Sequence, residues 1–262
     1  MNYYYKHAIS ATMVLAVVLA LPSTAQSLET SANVTLTTDY KFRGISQNDT
    51  GPALQGGFDL AFENGIYVGT WGSTVDFELT GNSNPAMELD YYVGYGGSIT
   101  EALSYDIGVI YYDYPTADAT NFSGEGYNKD RDLDYVEVYG SVGYQDLTVG
   151  YAFSDDYWQE TGKFNYFYID YDLELRAGWS YSFHVGYNDF SNSSTDDDVN
   201  DANEAFLSNG EDNYTDYSIT FTKSFYGLDL AFSFVDTDLD EKDCWDTDWC
   251  DSSGIFSISK SL

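Results

Sequence analysis

LSYDIGVIYYDYP, residues 103 to 115, places Leu103, Tyr105, Ile107, Val109 and Tyr111 at every second position. A period of two marks a β-strand with one apolar face. The fold turns on what that face touches, a protein core or lipid. The end of the stretch favours lipid. Tyr111 falls where an amphipathic ring suits a headgroup layer, and Tyr112 and Tyr114 alternate inward. Pro115 cannot donate to a ladder and so ends the strand.

The same alternation recurs along the chain. Ala32, Val34, Leu36, Tyr40 and Phe42 oppose Asn33, Thr35, Thr37, Asp39, Lys41 and Arg43, which predicts one long first strand. Leu54, Phe58, Leu60 and Phe62 form a second apolar face, and Met87, Leu89, Tyr91, Val93 and Tyr95 another. Trp179, Tyr181, Phe183, Val185 and Tyr187 oppose Ser180, Ser182, His184, Gly186 and Asn188. Only 66–75, IYVGTWGSTV, mixes both faces and gives no facing. With the segments near 136–142, 147–153, 164–172, 217–221, 228–234 and 256–262, the pattern predicts twelve strands.

The connections alternate in length. Those around 63–65, 96–102, 145–146, 173–178 and 224–227 are short. Those near 44–52, 76–85, 115–133, 154–163, 189–214 and 236–253 are longer and polar. A soluble sandwich has no reason for such regularity, whereas an outer-membrane barrel has short periplasmic turns and long external loops. Charge agrees. Of 43 carboxylates, seventeen lie in 189–216 and 236–251, against Lys242 alone. A Lys or Arg on the lipid face at mid-bilayer would cost about 2–4 kcal/mol; Lys223 and Lys260 break the parity only at periplasmic strand ends. The fold class expected is all-β, a transmembrane antiparallel barrel of about twelve strands.

Composition excludes other classes. A net charge of -33 with low hydropathy would suit disorder, but 18% aromatic residues, 26 of them tyrosine, do not. Ten scattered basic residues cannot make a phosphate-binding surface, so nucleic acid is excluded as a partner. Lys6 and His7 precede an apolar run at 8–21 and small residues at Ser23 and Ala25, which predicts a signal peptide over 1–25 cleaved before Gln26. One barrel domain is expected over 26–262. Cys244 and Cys250, six apart in an acidic segment of an exported chain, suit a disulfide better than a zinc set lacking histidine.

Several motifs resemble the TorF-type porin family of predicted outer-membrane barrels: DYKFRGISQ (39–47), YVGTWGSTVDFE (67–78), ELDYYVGY (88–95), YYDYP (111–115), DYVEVYGS (134–141), HVGYNDF (184–190), TKSFYGLDLAF (222–232) and FSISKSL (256–262). The resemblance implies outer-membrane location and a pore-forming role. Many such barrels end in an aromatic residue read by the barrel-assembly machinery; this chain ends in Leu262, with Phe256 and Ile258 keeping the alternation.

The function expected is passive or weakly cation-preferring passage of small polar solutes, with outer-membrane lipid as the surrounding partner and no cofactor. The lumen is expected to include Asp39, Lys41, Arg43, Asp59, Glu63, Glu88, Asp90, Asp106, Glu137 and His184. Acids outnumber bases there, which favours cations. Lys41 and Arg43 are expected to pair with Glu88, Asp90 or Glu137 across the bore. A non-conducting structural or cation-binding barrel is the alternative. A barrel-embedded hydrolase would need Ser182 and His184 in contact, yet two residues along one strand separate them by roughly 7 Å. DTDLDEKD (236–243) fails as a calcium loop, since Glu241 stands where glycine and Thr247 where glutamate is required. No flat, aromatic-poor face of the kind trimeric packing uses stands out.

Overall fold

Period-two alternation can satisfy every backbone group without an edge only if the sheet closes on itself, and the chain takes that solution. The computed structural model describes residues 28–79, 84–115, 117, 133–190, 206–209 and 211–262. The leader assigned to 1–25 lies outside the described residues. The strands are β1 (Leu28–Thr37), β2 (Lys41–Phe42), β3 (Ile45–Ser46), β4 (Ala53–Phe62), β5 (Ile66–Thr74), β6 (Met87–Ser98) and β7 (Leu103–Asp113), followed by β8 (Tyr135–Tyr144), β9 (Leu147–Tyr157), β10 (Gly162–Glu174), β11 (Trp179–Asp189), β12 (Asn213–Phe225), β13 (Leu228–Thr237) and β14 (Ser253–Ser261). All but β2 and β3 form one closed barrel of twelve strands, each paired with its sequence neighbours, and β1 against β14 closes the ring. Leu36 faces Ile258 across that seam, and the Thr35 and Ser259 hydroxyls meet at 2.8 Å.

The register separates two faces. In β6 and β7, Tyr91 pairs Tyr111, Val93 pairs Val109 and Tyr95 pairs Ile107 on the outside, while Asp90 pairs Tyr112 and Tyr92 pairs Ile110 inside. Val109 is 38% exposed and Ile110 is 0% exposed, although both are aliphatic and adjacent. The face that shows apolar side chains to the surroundings is the outer one: Leu36, Phe58, Val138, Val142, Val149, Phe167, Val185 and Phe232 are all exposed. Among the described residues no helix is long and apolar enough to cross a membrane.

The short connections fall where the sequence put them. Tyr226 and Gly227, both at positive φ (50° and 73°), make a two-residue hairpin turn whose twist suits the flanking strands. Glu63 belongs to such a turn, 63–65, and is exposed at the rim instead of lining the interior. The unassigned segment 66–75 resolves by pairing: Gly69 faces the inward Asp59, so Tyr67, Trp71 and Ser73 point inside. Its interior face carries aromatic rings, which is why polarity could not reveal it.

Two expectations are corrected. The loop expected at 154–163 shrinks to 158–161, because a register shift near Gly162 lets Tyr157 turn inward and stack on Phe164 at 4.2 Å. More consequentially, the first strand does not run to Arg43. β1 ends at Thr37, and 38–52 turns back into the barrel as a small hairpin of β2 and β3. Tyr40 therefore lies buried inside, not on the outer face.

Candidate functional site

The inward hairpin is built by its own turn. Arg43 and Gly44 adopt positive φ (49° and 82°), and a side chain at Gly44 would in addition overlap Thr237. Ser46 Oγ donates to Asp39 Oδ1 at 2.7 Å, and Gln47 N donates to Tyr40 O at 2.7 Å, drawing the two arms together. Arg43 is thereby carried to the barrel interior. Its two terminal nitrogens donate to the two Glu137 oxygens at 2.7 and 2.8 Å. Its guanidinium lies over the rings of Phe42, Phe164 and Tyr166 at 4.5, 4.7 and 4.3 Å, and Tyr214 Oη donates to its carbonyl at 2.9 Å. A bidentate pair with side chains 7% and 1% exposed combines Coulomb attraction with cation–π contact in a water-poor setting.

Around this anchor the long-loop half of the interior is packed. Tyr40 stands edge-on to Trp71 at 5.4 Å and donates to Glu88 Oε1 at 3.1 Å, while Tyr114 Oη lies 3.4 Å from Glu88 Oε2. Tyr112 stacks on Tyr135 at 4.3 Å, and Tyr157, Phe164, Phe190 and Phe206 extend the cluster. Inward positions on strands all round the ring are sealed: Ala53 (0%), Asp90 (0%), Tyr112 (1%), Glu137 (1%), Phe164 (0%) and Asn188 (0%). Side chains lining a water-filled bore would be wet. At this level they are dry.

A second loop holds the hairpin from above. Cys244 and Cys250 are disulfide-bonded, with Cα atoms 6.2 Å apart. From this loop Trp249 O accepts from Ser46 N at 3.0 Å, Trp249 Nε1 donates to Asp49 Oδ1 at 3.1 Å, and Asp251 O accepts from Lys41 Nζ at 2.5 Å. Lys41 thus bonds a loop carbonyl instead of Glu88, Asp90 or Glu137, because the hairpin turn points it toward the mouth. Burial lowers the Lys41 ammonium from its usual range against the pull of Asp39, and burial raises the Asp39 carboxyl despite the Ser46 hydroxyl.

Below the hairpin the interior changes character. Tyr67 Oη meets Tyr139 Oη at 2.6 Å and donates to Asp106 Oδ1 at 2.7 Å, and Tyr92 donates to Asp59. His184 Nδ1 lies 2.6 Å from Asp170, and its Nε2 lies 2.9 Å from Asp216 and 2.7 Å from Tyr166 Oη. Ser182 donates to Asp172, so the serine is committed elsewhere and makes no nucleophile–base pair with His184. The His184 and Asp170 side chains are 25% and 30% exposed, so this half is less tightly sealed than the layer at the hairpin.

The structure therefore divides the candidate residues into two groups. Arg43, Glu137, Glu88, Asp90 and Asp39 lie in or against the hairpin; Asp59, Asp106 and His184 lie in the less tightly sealed half below it. Asp170, Asp172 and Asp216 share that interior and were not singled out, although Asp170 and Asp172 alternate with Ile169 and Tyr171 as an inward pair must. Phe164 and Tyr166 carried no signal, since aromatic residues also populate the outer face. Among the described residues no cluster of His, Cys, Asp or Glu has the three members of a preformed metal centre.

A family model described as "Bacterial protein of unknown function (Gcw_chp)" matches residues 22–262. No curated protein matches the chain. Among solved structures, the KdgM porin is 8% identical, with 88% of this chain and 98% of that chain covered and a TM-score of 0.48. OprD from Pseudomonas aeruginosa is 12% identical over 90% of this chain and 68% of its own, with a TM-score of 0.42. LpxR from Salmonella typhimurium is 9% identical over 88% and 99%, with a TM-score of 0.42. Nothing about function follows from similarities this weak.

Proposed function

The chain belongs to the Gcw_chp family, whose description names no activity, and from the geometry we propose an outer-membrane barrel of porin type whose passage for small polar solutes is closed by its own first long loop. The location rests on the exposed apolar outer face joined to a polar interior, an arrangement that lipid stabilises and water does not. The motifs shared with TorF-type porins support the same reading.

One observation carries the gated passage. The seal is a single hairpin held without covalent bonds to the wall, by the Arg43–Glu137 pair, three rings and the bonds to the disulfide loop. Beneath it we read a less tightly packed chamber, on the partial exposure of Asp59, Asp106, Asp170 and Asp172. Removing the hairpin would join that chamber to the mouth, and the excess of carboxylates would favour cations over anions.

Planar-bilayer recording tests this. The wild-type barrel is expected to be closed for most of the record, and a variant with 39–50 replaced by a short Gly-Ser linker should show frequent, cation-preferring steps. A linker variant that folds yet never conducts would remove the passage and leave a structural barrel. Preference for anions would overturn the selectivity.

A further inference from the structure

Beneath the hairpin the charges do not balance. Glu137 has the Arg43 guanidinium, and Asp216 has the Asn188 amide at 2.8 Å and His184 at 2.9 Å. Glu88 and Asp90 have no cationic partner among the described residues. They stand two apart on β6, facing the same interior side, 2% and 0% exposed, with their carboxyl groups against each other. Glu88 receives the Tyr40 hydroxyl at 3.1 Å and lies within reach of the Tyr114 hydroxyl. Among the described residues no amide, hydroxyl or cation donates to Asp90: both of its side-chain oxygens are buried, with the Glu88 carboxyl as their one polar neighbour. A carboxylate taken out of water costs several kcal/mol unless a charge or donors compensate it, and a second carboxylate beside it adds repulsion. The pair is therefore neutralised either by shared protons or by a bound cation.

We propose that Glu88 and Asp90 form a buried site for one hard divalent cation, loaded when the hairpin closes over it. The chemistry of the donors selects the class. Two carboxylates and the Tyr40 and Tyr114 hydroxyls are all oxygen, with no imidazole or thiolate at hand, which suits calcium-like ions and not zinc or copper. The charge fits too, because a doubly positive ion neutralises the two unpaired carboxylates while leaving the Arg43–Glu137 pair intact. The bound ion would tie the hairpin residue Tyr40 to the wall strand β6 and to Tyr114, just past the end of β7, through the same centre, so the site acts as a second fastening of the closed state. The proposal concerns the interior alone and holds whether or not the barrel conducts when the hairpin leaves.

The test uses mature protein refolded into lipid vesicles with calcium or with a chelator, then washed with chelator. Acidic loops in solvent lose their ions in that wash, whereas an ion sealed beneath the hairpin stays. Elemental analysis should find one calcium per wild-type barrel and none in Asp90→Asn or Glu88→Gln, each checked for folding by heat-modifiable mobility. Calcium present at refolding should raise the wild-type unfolding temperature by several degrees and leave both variants unmoved. Folded wild-type barrels that retain no calcium, or variants that retain as much as wild type, would overturn the site. In the first case the two carboxyls share protons instead.

Discussion

Arg43 is held by one carboxylate and three rings, and the two sets of contacts respond differently to substitution. In Arg43→Ala the Glu137 carboxylate, 1% exposed, loses its counter-charge but stays buried. Breaking one side of a buried pair costs about 3–5 kcal/mol, mostly for the charge left behind. Replacing both partners with apolar residues of similar volume, Arg43→Met with Glu137→Leu, leaves no orphaned charge. Urea unfolding in vesicles should therefore show the single variant to be less stable than the double one. Equal losses would mean that the rings, not the ion pair, supply the anchor.

At the scale of elements, the barrel wall is fitted by placing tyrosines over glycines on neighbouring strands. Gly108 pairs with Tyr139, and Gly94 with Tyr67, so that the two rings lie over bare backbone and their hydroxyls meet at 2.6 Å. A methyl group at Gly108 would overlap the Tyr139 ring. Gly108→Ala is expected to cost about 1–3 kcal/mol, the usual penalty of overpacking, read as a lower urea midpoint with no change in strand content. The disulfide loop is a different kind of element, because it braces the hairpin and not the wall. Cys244→Ser with Cys250→Ser should remove about 2 kcal/mol from that loop by the loop-entropy rule. Trypsin should then cleave at Lys41 and Arg43 in the variant and not in the oxidised parent, while the barrel keeps its heat-modifiable mobility. Cleavage at equal rates would show that the loop does not restrain the hairpin.

For the whole molecule, the distribution of charge matters more than the total of -33. The carboxylates fall in the loops, at the strand ends and in the chamber, while the apolar belt between them faces outward. Cation preference in a barrel without its hairpin would then arise from a screened field. The reversal potential in a salt gradient should approach the neutral value as mean salt rises from about 0.1 M to about 1 M, over which the Debye length falls from about 10 Å to about 3 Å. Preference unchanged across that range would point to tight coordination at one constriction in place of a diffuse field.

The period-two pattern determined strand number, turn positions and which side of β6, β7, β9 or β11 meets the surroundings. That was legible because each such strand repeats one local rule and a one-residue slip would turn every side chain to the wrong face. The same rule misled at residues 38–46, where Tyr40 and Phe42 continue the alternation although the chain has left the wall. Nothing local distinguishes a ring bound for lipid from one bound for Trp71 or Tyr112 across the lumen. Gly44 was visible as a glycine, but that its turn folds inward depends on Glu137, ninety-four residues after Arg43 in the chain, and on Phe164 and Tyr166 from β10. The sequence by itself settled the barrel; only the tertiary structure decided that the barrel is stoppered, because the stopper is made of contacts between distant strands and a loop.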